Sequence, residues 1–118
     1  MKIELDMHTH TLASGHAFST IQEMAKAGAE KGLKLLGITE HTPGIPGTCD
    51  PIYFRNLHVV PRQMYGIELM LGAEINILDD KGNIDAYIPY ENQRRTYVVM
   101  NDTLTDIGLA SRLAIIVD

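Results

Sequence analysis

Two histidines, His8 and His10, stand two residues apart, just after a run in which Ile3 and Leu5 alternate with polar Lys2, Glu4 and Asp6. That alternation is the two-residue period of a β-strand, and a strand sends every second side chain to one face. Both imidazoles therefore point the same way, and neutral imidazoles on one face can hold a divalent ion, at about 2.0–2.1 Å each if it is zinc. Asp6 shares their parity and could orient one ring from behind. His16, His41 and the carboxylate of Glu74 offer the same donor chemistry further along. An HxH pair alone is a weak signal, since a strand-end histidine is more often a surface or core residue, which is the reading for His58. The conjunction is stronger, because one topology would gather the other four imidazoles and Glu74.

That topology follows from the flanking elements. Ser19 and Thr20 are good helix N-caps, and Thr20 with Glu23 has the capping-box pattern. Ile21, Met24, Ala25, Gly28 and Ala29 then fall on one helical face, with Gly32 as the stop. Residues 33–39 (LKLLGIT) form a short apolar run, the pattern of a buried parallel strand. Strand, helix and strand in about forty residues make a βαβ unit. Between Thr42 and Pro51, Pro43, Gly44, Pro46 and Gly47 dictate an irregular loop. Residues 57–60 read as a short extended piece ended by Pro61, and residues 67–78 contain a third strand. Asp79, Asp80, Lys81, Gly82 and Asn83 read as a turn. Beyond it the pattern predicts a strand at 97–100, a helix at 103–112 and a strand at 113–117. In a parallel sheet His8, His10, His41 and Glu74 reach one edge, where open α/β folds and barrels keep their sites, and His16 lies in the first loop of that edge.

Composition bounds the alternatives. At 118 residues the chain is one domain at most, with an apolar content of 45% that is ordinary for a globular protein. A net charge of -5 argues against broad binding to nucleic acid or anionic membranes. Charged Lys2, Glu4 and Asp6 fall where a signal peptide needs an apolar stretch, and no run approaches the roughly 18 apolar residues of a membrane span. The expectation is a soluble, cytoplasmic protein. Cys49 is the only cysteine, so neither an intrachain disulfide nor a CxxC zinc knuckle can form. Nothing near Cys49 supplies the orienting group a nucleophile needs, so it reads as structural. GxxxxGK[ST], GxGxxG, HExxH and GxSxG are all missing.

The strings Asp6-Met7-His8-Thr9-His10, the later His16, Thr39-Glu40-His41 and Gly72-Ala73-Glu74-Ile75-Asn76 resemble the opening motifs of the PHP (polymerase and histidinol phosphatase) superfamily, in particular its YcdX-type phosphatases. The resemblance covers about residues 1–85 and extends to motif order, spacing and the intervening helix. It implies a distorted (β/α)7 barrel with a trinuclear cluster, usually zinc, and hydrolysis of phosphate esters by a metal-bound hydroxide. It also implies roles: His8 and His10 on one metal, Glu74 bridging that metal to a second, His16 with His41 on a third. Nitrogen ligands favour Zn²⁺, Mn²⁺ or Fe²⁺ over Mg²⁺. Arg55 and Arg62, flanking His58, could meet a substrate phosphate through their guanidinium forks, although each reads equally well as a solvated surface arginine.

The remaining family ligands lie in later strands, and this chain has no histidine after His58. Residues 86–118 look divergent, and the second metal keeps only Glu74. Barrel closure needs about 200 or more residues. The expected architecture is therefore α/β, a partial PHP-type barrel of the first βα units: a parallel sheet with a divergent C-terminal segment. An open sheet edge exposes unpaired backbone groups, so self-association that covers it is the alternative to a C-terminal cover. The expected function is a metal-dependent phosphoesterase acting on a small phosphorylated metabolite. The competing readings are a non-catalytic metal-binding fragment and an amidohydrolase-like hydrolase; the latter wants a lysine or further histidines downstream.

Overall fold

A computed structural model describes residues 2–44, 47–76, 79–81, 83, 96–101 and 113–117. The first strand, β1 (Leu5–Thr9), leads through a short 3-10 turn to helix α1 (Ile21–Glu30) and then to β2 (Leu35–His41). Thr20 Oγ1 accepts the Glu23 N–H at 3.2 Å, and the Glu23 carboxylate accepts the Thr20 N–H at 2.7 Å, closing the predicted capping box. Helix α1 lays Ala25 and Gly28 on the sheet, with Ile21, Met24 and Ala29 partly buried beside them, as the three-and-four spacing dictates.

After β2 come helix α2 (Pro51–Asn56), a 3-10 turn (Leu57–Val59), β3 (Gln63–Met64) and β4 (Ile67–Asn76). Residues 57–59 are thus helical, and only Val60 of the expected extended piece has extended backbone. Asp50 caps the Ile52 N–H at 2.9 Å, Pro51 occupies the first turn, and burying Phe54 and Leu57 on the same side carries helical geometry through to Val59. The predicted turn forms around the Asp79 carboxylate, which accepts the N–H groups of Lys81 (2.9 Å) and Asn83 (3.2 Å). Strands β5 (Thr96–Asn101) and β6 (Leu113–Val117) follow; the helix predicted between them lies outside the described residues.

The sheet runs β1-β2-β4-β5-β6, with β3 pairing the start of β4. β1, β2, β4 and β5 are mutually parallel, while β3 and β6 pair antiparallel with their neighbours. The fold is an open, mostly parallel α/β sheet, as expected for the first units of a PHP-type fold. Register puts Leu36 beside Leu69, Ile38 beside Leu71 and Glu40 beside Ala73, and the next pair, on the opposite face, is His41 with Glu74. The apolar pairs join Ala25, Cys49, Phe54, Leu57, Ile67 and Ile75 in one core. β4 is covered on both faces, which is why residues 69–73 at its centre are all apolar or glycine. β1, at the sheet edge, keeps Leu5 56% exposed.

Two positions pin the geometry around the site. Gly37 faces β1 so closely that an added Cβ would lie 2.8 Å from the Met7 carbonyl oxygen, at the point where the β1–β2 register shifts. Gly15, at φ +78°, packs against Gly47, whose carbonyl an added Cβ would overlap. The β3–β4 hairpin turns through Tyr65 (φ 52°) and Gly66 (φ 80°), the left-handed pair that a two-residue turn demands. Tyrosine is strained there and its ring is exposed. Tyr65→Asn is expected to stabilise the fold by about 1 kcal/mol, the cost of a left-handed bulky residue. Thermal unfolding checks this, and an unchanged or lowered midpoint would refute the strain.

Candidate metal centre

All four predicted histidines and Glu74 meet at the carboxyl ends of the parallel strands. β1 carries His8, with His10 just past its end, the 3-10 turn and Gly15 lead to an exposed His16 whose ring reaches His41, and β2 and β4 place His41 and Glu74 side by side. His8 Nε2 lies 3.0 Å from His10 Nε2 and 3.0 Å from Glu74 Oε2, and His10 Nε2 lies 2.9 Å from that same oxygen. His41 Nε2 is 2.7 Å from His16 Nε2, and its Nδ1 is 3.4 Å from Glu74 Oε2. The rings of His10 and His41 stack at 4.6 Å. Two donor sets result, His8 with His10 and Glu74, and His10 with His16 and His41; within each, the donor atoms lie within 4.8 Å of one another. His10 belongs to both.

These separations suit a cation. Ligands bound tetrahedrally at 2.0–2.1 Å stand about 3.3 Å apart, close to the spacings observed. A single proton cannot bridge the triangle of His8 Nε2, His10 Nε2 and Glu74 Oε2. His41 Nδ1, moreover, is buried and makes no hydrogen bond among the described residues. The electrostatics favour the ligand forms. Burial lowers the pKa of His41; Glu74 opposes this, while His10, His16 and His8 reinforce it, so the imidazole is held neutral. Burial alone would raise Glu74, but hydrogen bonds with His10 and His8, aided by the neighbouring His41 and His8 rings, outweigh it and bring it down to about 2. Neutral imidazole and ionised carboxylate are the states that coordinate metal.

The other candidates sit elsewhere. Asp6 accepts the backbone N–H of His8 at 3.2 Å, so it braces the strand end through the main chain. His58 is exposed, with its Nδ1 2.6 Å from the carbonyl oxygen of Arg55. Arg62 Nη1 donates to the carbonyls of Leu57 (3.1 Å) and Val60 (3.2 Å), tying down the segment after α2. Arg55 is exposed in the last turn of α2. Cys49 is buried in the core and donates to the Ala13 carbonyl at 3.2 Å. Burial and the nearby Glu40 push its thiol up to about 12, which suits a structural residue rather than a nucleophile.

Sequence reasoning missed Glu40. Fully buried, it accepts from the Thr11 N–H (3.0 and 3.1 Å), the Thr11 hydroxyl (2.5 Å), the Ser14 hydroxyl and, at 3.4 Å, the Tyr53 hydroxyl. A carboxylate inside an apolar strand was the available signal, since a buried acid needs such a set of donors.

An open parallel sheet whose strand ends gather four imidazoles and one carboxylate defines an α/β protein with a candidate metal centre. The chain belongs to the PHP domain family, whose model matches residues 6–111. It is 52% identical over 85 residues to a probable phosphatase of Clostridium novyi (strain NT), covering 72% of this chain and 35% of that protein. A probable phosphatase of Thermoanaerobacter sp. (strain X514) is 49% identical over the same length, with the same coverage of 72% and 35%. One from Caldicellulosiruptor bescii is 46% identical over 111 residues, covering 94% of this chain and 45% of the relative. The chain spans between about a third and a half of the length of the curated relatives it matches. Among the described residues no helix is long and apolar enough to cross a membrane.

Proposed function

We propose that this chain supplies metal-binding machinery for a phosphoesterase that hydrolyses a small phosphorylated substrate, with Zn²⁺, Mn²⁺ or Fe²⁺ as the bound ions. The observation that carries this reading is the pair of donor sets sharing His10, one of them including the buried carboxylate of Glu74. The relatives named probable phosphatases support the reaction class. Divalent ions there would acidify water and neutralise charge on the phosphoryl group. The chain's own part is to fix the donors: β2 and β4 set His41 against Glu74, and β1 aligns His8 with His10. A reducing cytoplasm suits the lone, buried Cys49.

The test is release of phosphate from p-nitrophenyl phosphate by the metal-free chain with Zn²⁺ or Mn²⁺ added. Turnover is expected to require the ion and to vanish in His10→Ala. Stoichiometric metal binding without any turnover at high protein concentration would replace this reading with that of a non-catalytic metal-binding domain.

A further inference from the structure

The hydrogen bonds behind His10 have a fixed direction, and that direction starts at Glu40. A serine hydroxyl has one proton to give and two lone pairs to receive. Ser14, buried between β1 and β2, donates its proton to Glu40 Oε2 and accepts the backbone N–H of His41 at 2.9 Å. Its remaining lone pair faces His10 Nδ1 at 3.1 Å. That contact can be a hydrogen bond only if Nδ1 carries the proton, which leaves the Nε2 lone pair for the two donor sets.

From this geometry we infer that Glu40, which is no metal ligand, is a positioning residue for the candidate centre. It lies on the helix-covered face of β2, opposite His41, and acts through Ser14 to hold a proton on His10 Nδ1. The same hydroxyl ties the His41 main chain into the relay, so one buried carboxylate aligns the histidine shared by both sets and the one beside Glu74. Its orientation is fixed from the other side. Thr11 N–H, the Thr11 hydroxyl and the Tyr53 hydroxyl all point at Oε1, which leaves Oε2 to accept from Ser14 and a share of the Thr11 N–H, with His10 Nδ1 4.0 Å away, too far for a direct hydrogen bond.

This arrangement makes Glu40→Gln an informative change of nearly the same shape. The three donors at Oε1 keep an oxygen there, so the amide NH₂ falls at the Oε2 position and donates to Ser14. The Ser14 hydroxyl then turns its proton towards His10 Nδ1, and the imidazole proton moves to Nε2, where it blocks the ligand. Ser14→Ala removes the relay without imposing the wrong direction.

The inference rests on the metal-centre reading, so its first readout is taken without metal. In the ¹⁵N-histidine-labelled chain at about pH 8, above the ordinary histidine pKa, long-range ¹H–¹⁵N correlation is expected to show His10 Nδ1 protonated. Glu40→Gln should convert it to an unprotonated acceptor. An unprotonated His10 Nδ1 in the unaltered chain overturns the relay outright, whatever the variants do. The second readout is Zn²⁺ affinity, expected to fall about 10- to 100-fold in Glu40→Gln, the usual effect of losing a ligand's orienting partner. In Ser14→Ala the fall should be smaller, and adding Glu40→Gln to Ser14→Ala should cost nothing more. A Glu40→Gln loss that persists in full without Ser14 overturns the inference, as does parent-like affinity in Glu40→Gln. If the unaltered chain binds no Zn²⁺, the metal-centre reading fails, while the state of Nδ1 still decides the relay.

Discussion

His10→Ala is expected to empty both donor sets at once, lowering Zn²⁺ affinity by more than the roughly 100-fold that loss of an outer partner costs. The expectation follows from position. His10 Nε2 sits 2.9 Å from Glu74 and 3.0 Å from His8, and its ring packs on His41 and on His16 at centroid separations of 4.6 and 4.9 Å. No other residue belongs to both sets. His8→Ala removes one donor from the set containing Glu74, and His16→Ala removes one from the other, so each should spare the remaining set. Metal analysis after dialysis against Zn²⁺ reads the difference as stoichiometry. His10→Ala should retain less metal than either single variant, and the His8→Ala, His16→Ala double variant should resemble it. Equal retention in all three single variants would mean that the two sets do not share a histidine in solution.

The ease with which these ligands were found in the sequence has a physical basis. The Thr20–Glu23 capping box, the helical face behind it and the stop at Gly32 are local signals, and they frame a βαβ unit, although Ile3 lies before β1 and both Ile3 and Leu5 are exposed. A βαβ unit in turn fixes which strand ends share an edge, so the sequence alone brings His8, His10, His41 and Glu74 together. Features set by contacts between distant segments stayed hidden. Asp50 and Pro51 carry a helix-start signal, yet the prolines and glycines before them masked a helix of only six residues, α2, whose anchor is burial of Phe54. Nothing in the sequence demands positive φ at Tyr65; the short β3 strand folding back on β4 does. Glu40 was visible as an acid at the end of an apolar strand, but its partners arrive from two other segments, Thr11 and Ser14 from the first 3-10 turn and Tyr53 from α2. The strands expected at 97–100 and 113–117 form, whereas the antiparallel pairing of β6 is a matter of topology.

Gly37→Ala should show how closely the centre depends on the backbone beneath it. The added Cβ would meet the oxygen, carbonyl carbon and Cα of Met7 at 2.8, 2.9 and 2.9 Å, all of them main chain. A flexible side chain could swing away from such a contact, but β1 can yield only by moving as a whole. Thr9 donates to the Gly37 carbonyl at 2.6 Å and Thr39 to the Thr9 carbonyl at 3.4 Å, so that movement also breaks the bonds that seat β1 on β2. The expected cost is about 3 kcal/mol, the upper end for overpacking, because relaxation is denied. Since β1 leads directly into His8 and His10, Zn²⁺ affinity should fall together with stability. Gly28→Ala is the matched control. There the new methyl meets only the side-chain ends of Ile67 (3.3 Å), Leu33 (3.4 Å) and Leu36 (3.8 Å), and alanine favours the helix by roughly 0.5–1 kcal/mol. Chemical denaturation of both variants should separate them by at least about 2 kcal/mol. Similar stabilities would show that β1 stands further from β2 than the structure places it, and with that the alignment of His8 and His10 would lose its physical cause.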